Sequence, residues 1–556
     1  QPIAVTYHQQ WMQFALYFLS LGLMTAALKN QRSPTRAAAL TGASIIVMLV
    51  QVSVTEYFVP LELLRPVLIW FILADGKSAH HWRSTMLRYL PYFGVLFLYL
   101  VWRFFLMELP GSDPYAPVLL DQLLQNPAAA LLETGQAVLV DLVAILITAW
   151  APVFNLPLED APGFTLTVFG LMAAFSVLLV IYLYALRITD GENRTWIRQA
   201  LVVGALATLL GALPGWAIGR RVIDDFHSNR YALAAMFGAS LLLVALLEVF
   251  LAARLQKVVV VVVLVGLSMN FHIQTGRYYR DIWTQQLDLY WQFTWRAPFL
   301  QQPSALIFEN EPIPDQGLFS TSSAFNFLYP QPGDADGISY YVYTLRPRYD
   351  NHFPDISTIS FKTTFRSLHF QGAPPNTLLI RYDPQTANCL WVLTGEDAGD
   401  PYLSELMGVM LPISNPERIL PDKASEVYPP VEIFGPEPTG TWCSYYQKAA
   451  LAMQLGDWTT AAQLGDAARK NGYLPENLPV EAPHEWVPFI KGYAYDSRWD
   501  EAAELTIQAA DMRYRAYDEH LCRVWDQIAA GTANSGDKVA ALTYINEALT
   551  CIGVSE

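Results

Sequence analysis

The chain has 556 residues, of which 53% are hydrophobic, 13% aromatic and 15% charged, with a formal net charge of −15 and a mean hydropathy of +0.24. Soluble globular chains carry roughly 25% charged residues, so this composition excludes disorder and an ordinary soluble enzyme and points to a membrane. The charge is uneven: residues 1–272 hold 16 Lys and Arg against 15 Asp and Glu, whereas residues 273–556 hold 19 against 35, and such an acidic half would repel nucleic acid.

A membrane span needs about 20 apolar residues. In chain order the apolar runs predict spans at 11–28, 37–55, 60–74, 89–107, 165–186, 199–218, 231–253 and 257–272, about eight within a membrane domain of residues 1–272. The third is short. A ninth apolar stretch, 129–153, contains Glu133 and Asp141. Lys and Arg favour the cytoplasmic side of short loops. Lys29, Arg32 and Arg36; Lys77, Arg83 and Arg88; Arg187, Arg194 and Arg198; and Arg254 with Lys257 therefore mark four cytoplasmic loops. Segment 108–164 has acids and no Lys or Arg, so it is expected outside. The span 165–186 already makes the return crossing, which leaves 129–153 as a re-entrant or interfacial segment. Loop 219–229 and everything after residue 272 then come out extracytoplasmic.

Residues 273–300, with Tyr278, Tyr279, Trp283, Trp291 and Trp295, predict an interfacial helix with an aromatic belt. Residues 301–440 change to short β-like runs, Ser304–Phe308, Ser339–Thr344, Thr377–Tyr382 and Leu390–Leu393, broken by Pro, Gly, Asn and Asp; this predicts a small α/β domain. It carries no nucleotide-binding or nucleophile-elbow motif. Residues 441–556 hold an internal repeat. Trp458 is followed by Ala461 and Ala468, Trp499 by Ala502 and Ala509, and Gly536-Asp537 by Ala541 and Ala548; Tyr445, Trp486 and Trp525 precede them in the same register. Small residues at this spacing let paired helices pack closely, as in tetratricopeptide (TPR) repeats, or in a plain helical bundle. Such repeats build binding surfaces for protein partners. In an oxidising exterior Cys389 pairs with Cys443 and Cys522 with Cys551; four free thiols are the alternative.

Several segments carry a family resemblance. Val54-Thr55-Glu56-Tyr57 leads to Pro60-Leu61-Glu62-Leu63-Leu64-Arg65-Pro66; a basic loop, Tyr89-Leu90-Pro91-Tyr92 and a span ending Trp102-Arg103 follow; then Asn229-Arg230-Tyr231-Ala232 opens a span. With closing repeats, this order resembles the polytopic GT-C glycosyltransferases, especially the transmembrane-and-TPR protein O-mannosyltransferases. The resemblance implies a GT-C-like helical membrane domain followed by an extracytoplasmic α/β domain and an all-α TPR-like domain. It also implies sugar transfer from a polyprenyl-phosphate carrier on the extracytoplasmic face. The family's catalytic acid lies in its first exterior loop; here no acid precedes Glu56, so the first two spans and that loop are expected to be missing, and no general base is assigned.

The candidate acceptor or donor residues are Glu56, Asp224, Asp225 and His227, and the candidate lipid-phosphate clamp is Arg220, Arg221 and Arg230. The acid pair has the chemistry to hold a divalent cation. Against this stands a solvated loop whose Arg and Asp side chains pair with one another. Arg65 and Arg103 sit in or beside apolar runs, where an unpaired charge costs at least ~2.5 kcal/mol, so each needs a partner; Glu62 and Glu108 are the nearest acids. The competing function is a non-catalytic membrane-anchored scaffold that holds envelope partners through its repeats.

Overall fold

The computed structural model describes residues 8–30, 32–73, 81–107, 118–154, 162–185, 194–222, 229–329, 337–346, 359–365, 368–383, 388–421, 429–477, 482–511, 517–549 and 551. The chain forms two compact units, Gln1–Tyr279 and Arg280–Glu556. Helices of the first unit are α1 (His8–Lys29), α2 (Pro34–Val54), α3 (Arg65–Leu73), α4 (His81–Val101), α5 (Val118–Gln125), α6 (Pro127–Leu146), α7 (Pro162–Ala185), α8 (Arg194–Ala217) and α9 (Met236–Phe250). A tenth, α10 (Arg254–Arg296), is 43 residues long and continues into the second unit. Among the described residues seven helical segments are long and apolar enough to cross a membrane, which makes this an α-helical membrane protein. Leu166, Leu171, Leu178 and Ile181 of α7 stay largely exposed, as a lipid-facing helix requires.

Two predicted elements take a different form, 60–74 and the junction at 272, and a third is seen in more detail. The run 60–74 is not one helix. Pro60 has no N–H to give, and a tighter 3-10 turn (Glu56–Leu64) precedes the nine-residue α3. The stretch 129–153 lies in one apolar segment, Pro127–Phe154, of spanning length. Asn126 caps it by accepting from the Ala129 N–H (3.3 Å), and Pro127 fits the first turn because that N–H has no partner in a helix. The span 257–272 and the interfacial helix 273–300 are one unbroken helix, about 65 Å at 1.5 Å per residue.

Close packing in the first unit relies on missing side chains. A Cβ on Gly211 would lie 2.5 Å from the Ala234 backbone, and one on Gly238 would lie 2.3 Å from the Thr208 nitrogen. Glycine at both points lets α8 approach the Ala234 backbone and α9, the usual device where apolar burial gives little drive for association. A core of Tyr17, Met48, Phe58, Leu61, Leu64 and Ile69 fills the space between α1, α2, the 3-10 turn and α3.

The second unit begins with a mixed sheet. Its elements are β1 (Ser304–Phe308), α11 (Leu318–Leu328), β2 (Tyr340–Thr344), β3 (Phe361–Phe365), β4 (Leu368–Gly372), β5 (Thr377–Arg381), β6 (Trp391–Val392), α12 (Glu405–Met410) and α13 (Val431–Phe434). Strand order is β2-β1-β5-β6, with β1 parallel to both neighbours and β6 antiparallel to β5. Every residue of β1 is buried, as expected of a central parallel strand covered on both faces. The β3–β4 pair forms a separate antiparallel ribbon.

Three helix pairs follow: α14 (Trp442–Gln454) with α15 (Trp458–Lys470), α16 (Val487–Tyr495) with α17 (Trp499–Ala510), and α18 (Asp518–Gly531) with α19 (Gly536–Leu549). Gly456 takes φ +71°, and the Asp457 carboxylate next to it caps α15 by accepting from the Thr460 N–H (3.1 Å). Ala461, Ala468, Ala502, Ala509 and Ala541 are buried, but Ala548 is exposed and Leu549 fills the buried position beside it. Both expected disulfides are formed, Cys389–Cys443 and Cys522–Cys551.

The two bridges close loops of 54 and 29 residues, so each should contribute about 3–4 kcal/mol by restricting the unfolded chain. Unreduced protein should incorporate no iodoacetamide after unfolding and melt at a higher temperature than reduced protein. Four alkylated cysteines without a reductant would contradict this pairing.

Candidate functional site

Three segments far apart in sequence meet in the first unit. At the end of α2 the chain turns extended at Thr55 (φ −153°), and Glu56 opens the 3-10 turn. Gln13 of α1 braces the bend. Its amide nitrogen donates to the Gln51 carbonyl (3.1 Å) and to the Thr55 carbonyl, while the Thr55 hydroxyl donates to its oxygen. Glu56 is half-exposed and accepts from Arg103 Nε. Arg103 comes from a π-type turn (Trp102–Leu106) that ends α4, a widening of the helix often found at functional positions. Beside Glu56, Tyr57 packs edge-on against Tyr231 with centroids 5.8 Å apart. Arg230 lies 5.0 Å over the Tyr231 ring, with Nη2 3.2 Å from its hydroxyl.

The end of α8 brings in the remaining arginines. Gly219 takes φ +68°. Its N–H donates to Trp216 O (3.1 Å), and the Arg220 N–H donates to Gly215 O (2.8 Å), a glycine-terminated helix end. A Cβ on Gly215 would touch both the Arg220 carbonyl (3.4 Å) and Tyr231 Cβ (3.6 Å), so this turn sits against Tyr231. Arg220 is exposed. Arg221, partly exposed, donates its Nε to Asp141 Oδ1 at 2.9 Å. Asp141 Oδ2 also accepts from Trp216 Nε1 (2.9 Å) and the Val222 N–H (3.3 Å). A carboxylate with 1% side-chain exposure needs those donors, so Asp141 holds Arg221 at one nitrogen.

Asp224, Asp225 and His227 lie outside the described residues, as does Glu108, the acid expected to pair with Arg103. Among the described residues no group of three or more His, Cys, Asp or Glu side chains is arranged to hold a metal ion. Arg65 and Glu62 form the expected ion pair, with both side chains wholly buried. Arg65 Nη2 also donates to Ser20 Oγ (2.8 Å), and its guanidinium lies 4.7 Å over the Tyr92 ring, so it braces α1, α3 and α4.

A second polar cluster, unmarked by any sequence motif, lies in the second unit. Asp397 accepts from the Thr394 N–H (2.6 Å) and hydroxyl (3.0 Å), yet burial pushes its carboxyl up to about 7. Burial raises Glu485 to about 7, against the donors Trp442 Nε1 and the Cys389 N–H (2.7 Å). Burial raises Asp400 to about 6, against the Tyr402 N–H and the charges of Arg381 and Arg523. Burial, with Arg523 and Lys491, lowers His520 to about 4. Burial, with Arg381 and His520, holds His484 well below its usual value. The signal for this cluster was scattered over single polar residues in four elements, and only folding assembles it.

The chain matches no known family model, curated protein or solved structure.

Two measurements follow from this chemistry. Removing Asp141 should destabilise the first unit by about 3–5 kcal/mol, because Trp216 and Arg221 lose their acceptor, whereas removing a half-exposed lysine should change little. Unfolding of D141A in mild detergent at wild-type denaturant strength would show otherwise.

The second concerns pH. The three raised carboxyls hold extra protons when folded, so their contribution is lost as pH rises from about 4 to 7. The two lowered histidines act oppositely, and their contribution is lost as pH falls from about 6.5 to 4. The terms oppose one another below pH 6.5. Above it Asp397 and Glu485 act alone, so the melting temperature should fall between pH 6.5 and 8, and D397N should flatten that decline. A melting temperature that rises over this range would contradict the assignment.

Proposed function

We propose that this chain is a GT-C glycosyltransferase-like membrane protein that receives a polyprenyl-phosphate-linked sugar where Glu56, Arg103, Arg220 and Arg230 meet. The observation that carries this is the convergence itself. The three segments on which the family resemblance rests come together as an ion pair (Glu56 with Arg103) and a ring contact (Tyr57 with Tyr231). Arginine suits a phosphate monoester or diester because its planar fork donates two parallel hydrogen bonds. Glu56 holds Arg103 in place, and Tyr231 holds Arg230. The phosphate site is built from Arg103 and Arg230, with the exposed Arg220 and the Asp141-bound Arg221 at its edge. The face is extracytoplasmic: the four basic loops take the cytoplasmic side, and two disulfides in the second unit suit an oxidising compartment. Transfer itself needs a base to deprotonate the acceptor, and no residue here is assigned that role.

A second reading is favoured by one feature. In TPR-like repeats the concave side takes partner segments, and a groove of about 390 Å³ opens between α17 and α19. Exposed Tyr544 and half-buried Ile507 line it beside Asp500 and Glu504. This suits a scaffold that holds an apolar, basic segment of another envelope protein.

Lipid capture separates the two. Purified full chain in nanodiscs doped with equal polyprenyl phosphate and polyprenol should retain the phosphate by native mass spectrometry. R103A and R230A should each weaken retention by roughly tenfold, the value of one lost charged hydrogen bond. Equal retention of both lipids, or unchanged retention in both variants, would leave the scaffold reading.

A further inference from the structure

A cavity of about 220 Å³ lies within the second unit, where the last turn of α10, the turn after β6, and helices α14, α16 and α18 come together. Arg296, Asp397, Tyr446, Lys491 and Arg523 form its polar wall. Arg296 is 4% exposed, and its Nη1 is buried with no hydrogen-bond partner among the described residues. A buried guanidinium N–H without an acceptor is costly. The carboxyls around it are partly engaged, although the charge of Asp397 still favours the Arg296 cation. Asp397 is bound by the Thr394 N–H and hydroxyl. Glu396, two thirds exposed at the rim, takes Lys491 at 2.9 Å. Arg523, a second cation with no acceptor to offer, donates to the Gly399 carbonyl (2.7 Å). His484, stacked at 4.0 Å on Trp391, leaves its Nδ1 buried and unpartnered in the same wall.

We propose that this cavity is a binding site for a small oxyanion, a carboxylate or a phosphate, with the Arg296 guanidinium as its anchor. Three cationic side chains face two carboxyls there, so the wall attracts negative charge. Arg296 can give a carboxylate or phosphate the bidentate pair it lacks from the protein. At 220 Å³ the space is below the roughly 300–1,000 Å³ of drug-sized sites, so it accepts a small molecule or the acidic end of a larger one. An acidic sugar has suitable dimensions and polarity, and the polar wall offers its hydroxyls partners. The site lies wholly in the second unit and does not depend on the lipid-phosphate reading of the first.

The test uses the full chain in detergent at constant ionic strength. Melting temperature and isothermal calorimetry are read against inorganic phosphate and glucuronate, with sodium chloride and glucose as controls. The expected result is an upward shift of about 3 °C or more with at least one oxyanion and none with glucose. A response to glucuronate alone assigns a carboxylate ligand; one to phosphate alone assigns a phosphate-bearing ligand. R296Q should abolish the response, and R296K, which keeps the charge but not the fork, should weaken it at least tenfold. Should R296Q fail to fold, A450L, which fills the cavity without touching a charge, is to remove the response in its place. No shift with either oxyanion, or an unchanged shift in R296K and A450L, overturns the proposal. Failure here leaves the nanodisc result untouched.

Discussion

Arg65 and Glu62 lie side by side with no exposure, in a unit whose outer surface is apolar. Neither charge can be left alone there. Removing both ions from water costs several kcal/mol each, and only their mutual attraction with further hydrogen bonds offsets it. The pair therefore fixes more than itself. Glu62 must sit in the 3-10 turn, one helical turn before Arg65, and Arg65 must reach Ser20 of α1 and the Tyr92 ring of α4. Ser20 in turn donates to the Ser44 carbonyl (2.7 Å) of α2. One ion pair thus holds the register of four helices.

The same requirement recurs with Asp141. An acid inside an apolar stretch invites the expectation that the stretch avoids the bilayer interior. The fold satisfies the acid with three donors from the end of α8. The helix end that supplies them is set by Gly219 and its two backbone bonds, so the position of Arg221 is decided locally and its partner is decided by packing. Of the arginines near this helix end, Arg221 is tied to Asp141 and Arg230 lies over the Tyr231 ring.

Much of the second unit was legible because its signals are local. The four β-like runs became β1, β2, β5 and β6, since alternating or continuous apolar residues between Pro and Gly breaks leave little other choice. The ribbon β3–β4 escaped notice: Phe361-Lys362-Thr363-Thr364 carries polar residues, and a two-stranded ribbon covers only one face. The helix pairs were legible because close packing needs small residues at fixed spacing, and Gly492 shows how close, with a Cβ there 2.9 Å from Ala461 Cβ. Ala548 broke the pattern at the last pair, where its position is exposed. In the first unit the ion pairs were half legible. Glu62 is three residues from Arg65 on the same face, whereas Glu56 and Arg103 are 47 residues apart and meet only through the fold.

Arg296 marks the limit of such reading. In sequence it ends an aromatic, amphipathic run and resembles the arginines that anchor a helix at a membrane surface. In the fold it is buried in the second unit, where Asp397 favours its charge but also takes Thr394, and Glu396 takes Lys491. The contrast with Arg65 is one of completeness. Arg65 has a carboxylate, a hydroxyl and a ring, and its role ends with holding helices together. Arg296 has an open space of about 220 Å³ and a buried nitrogen without an acceptor among the described residues. A fold that satisfies Arg65, Arg221 and Arg498 with carboxylates has the means to satisfy a fourth. That Arg296 faces a cavity instead is the reason to assign its acceptor to a ligand.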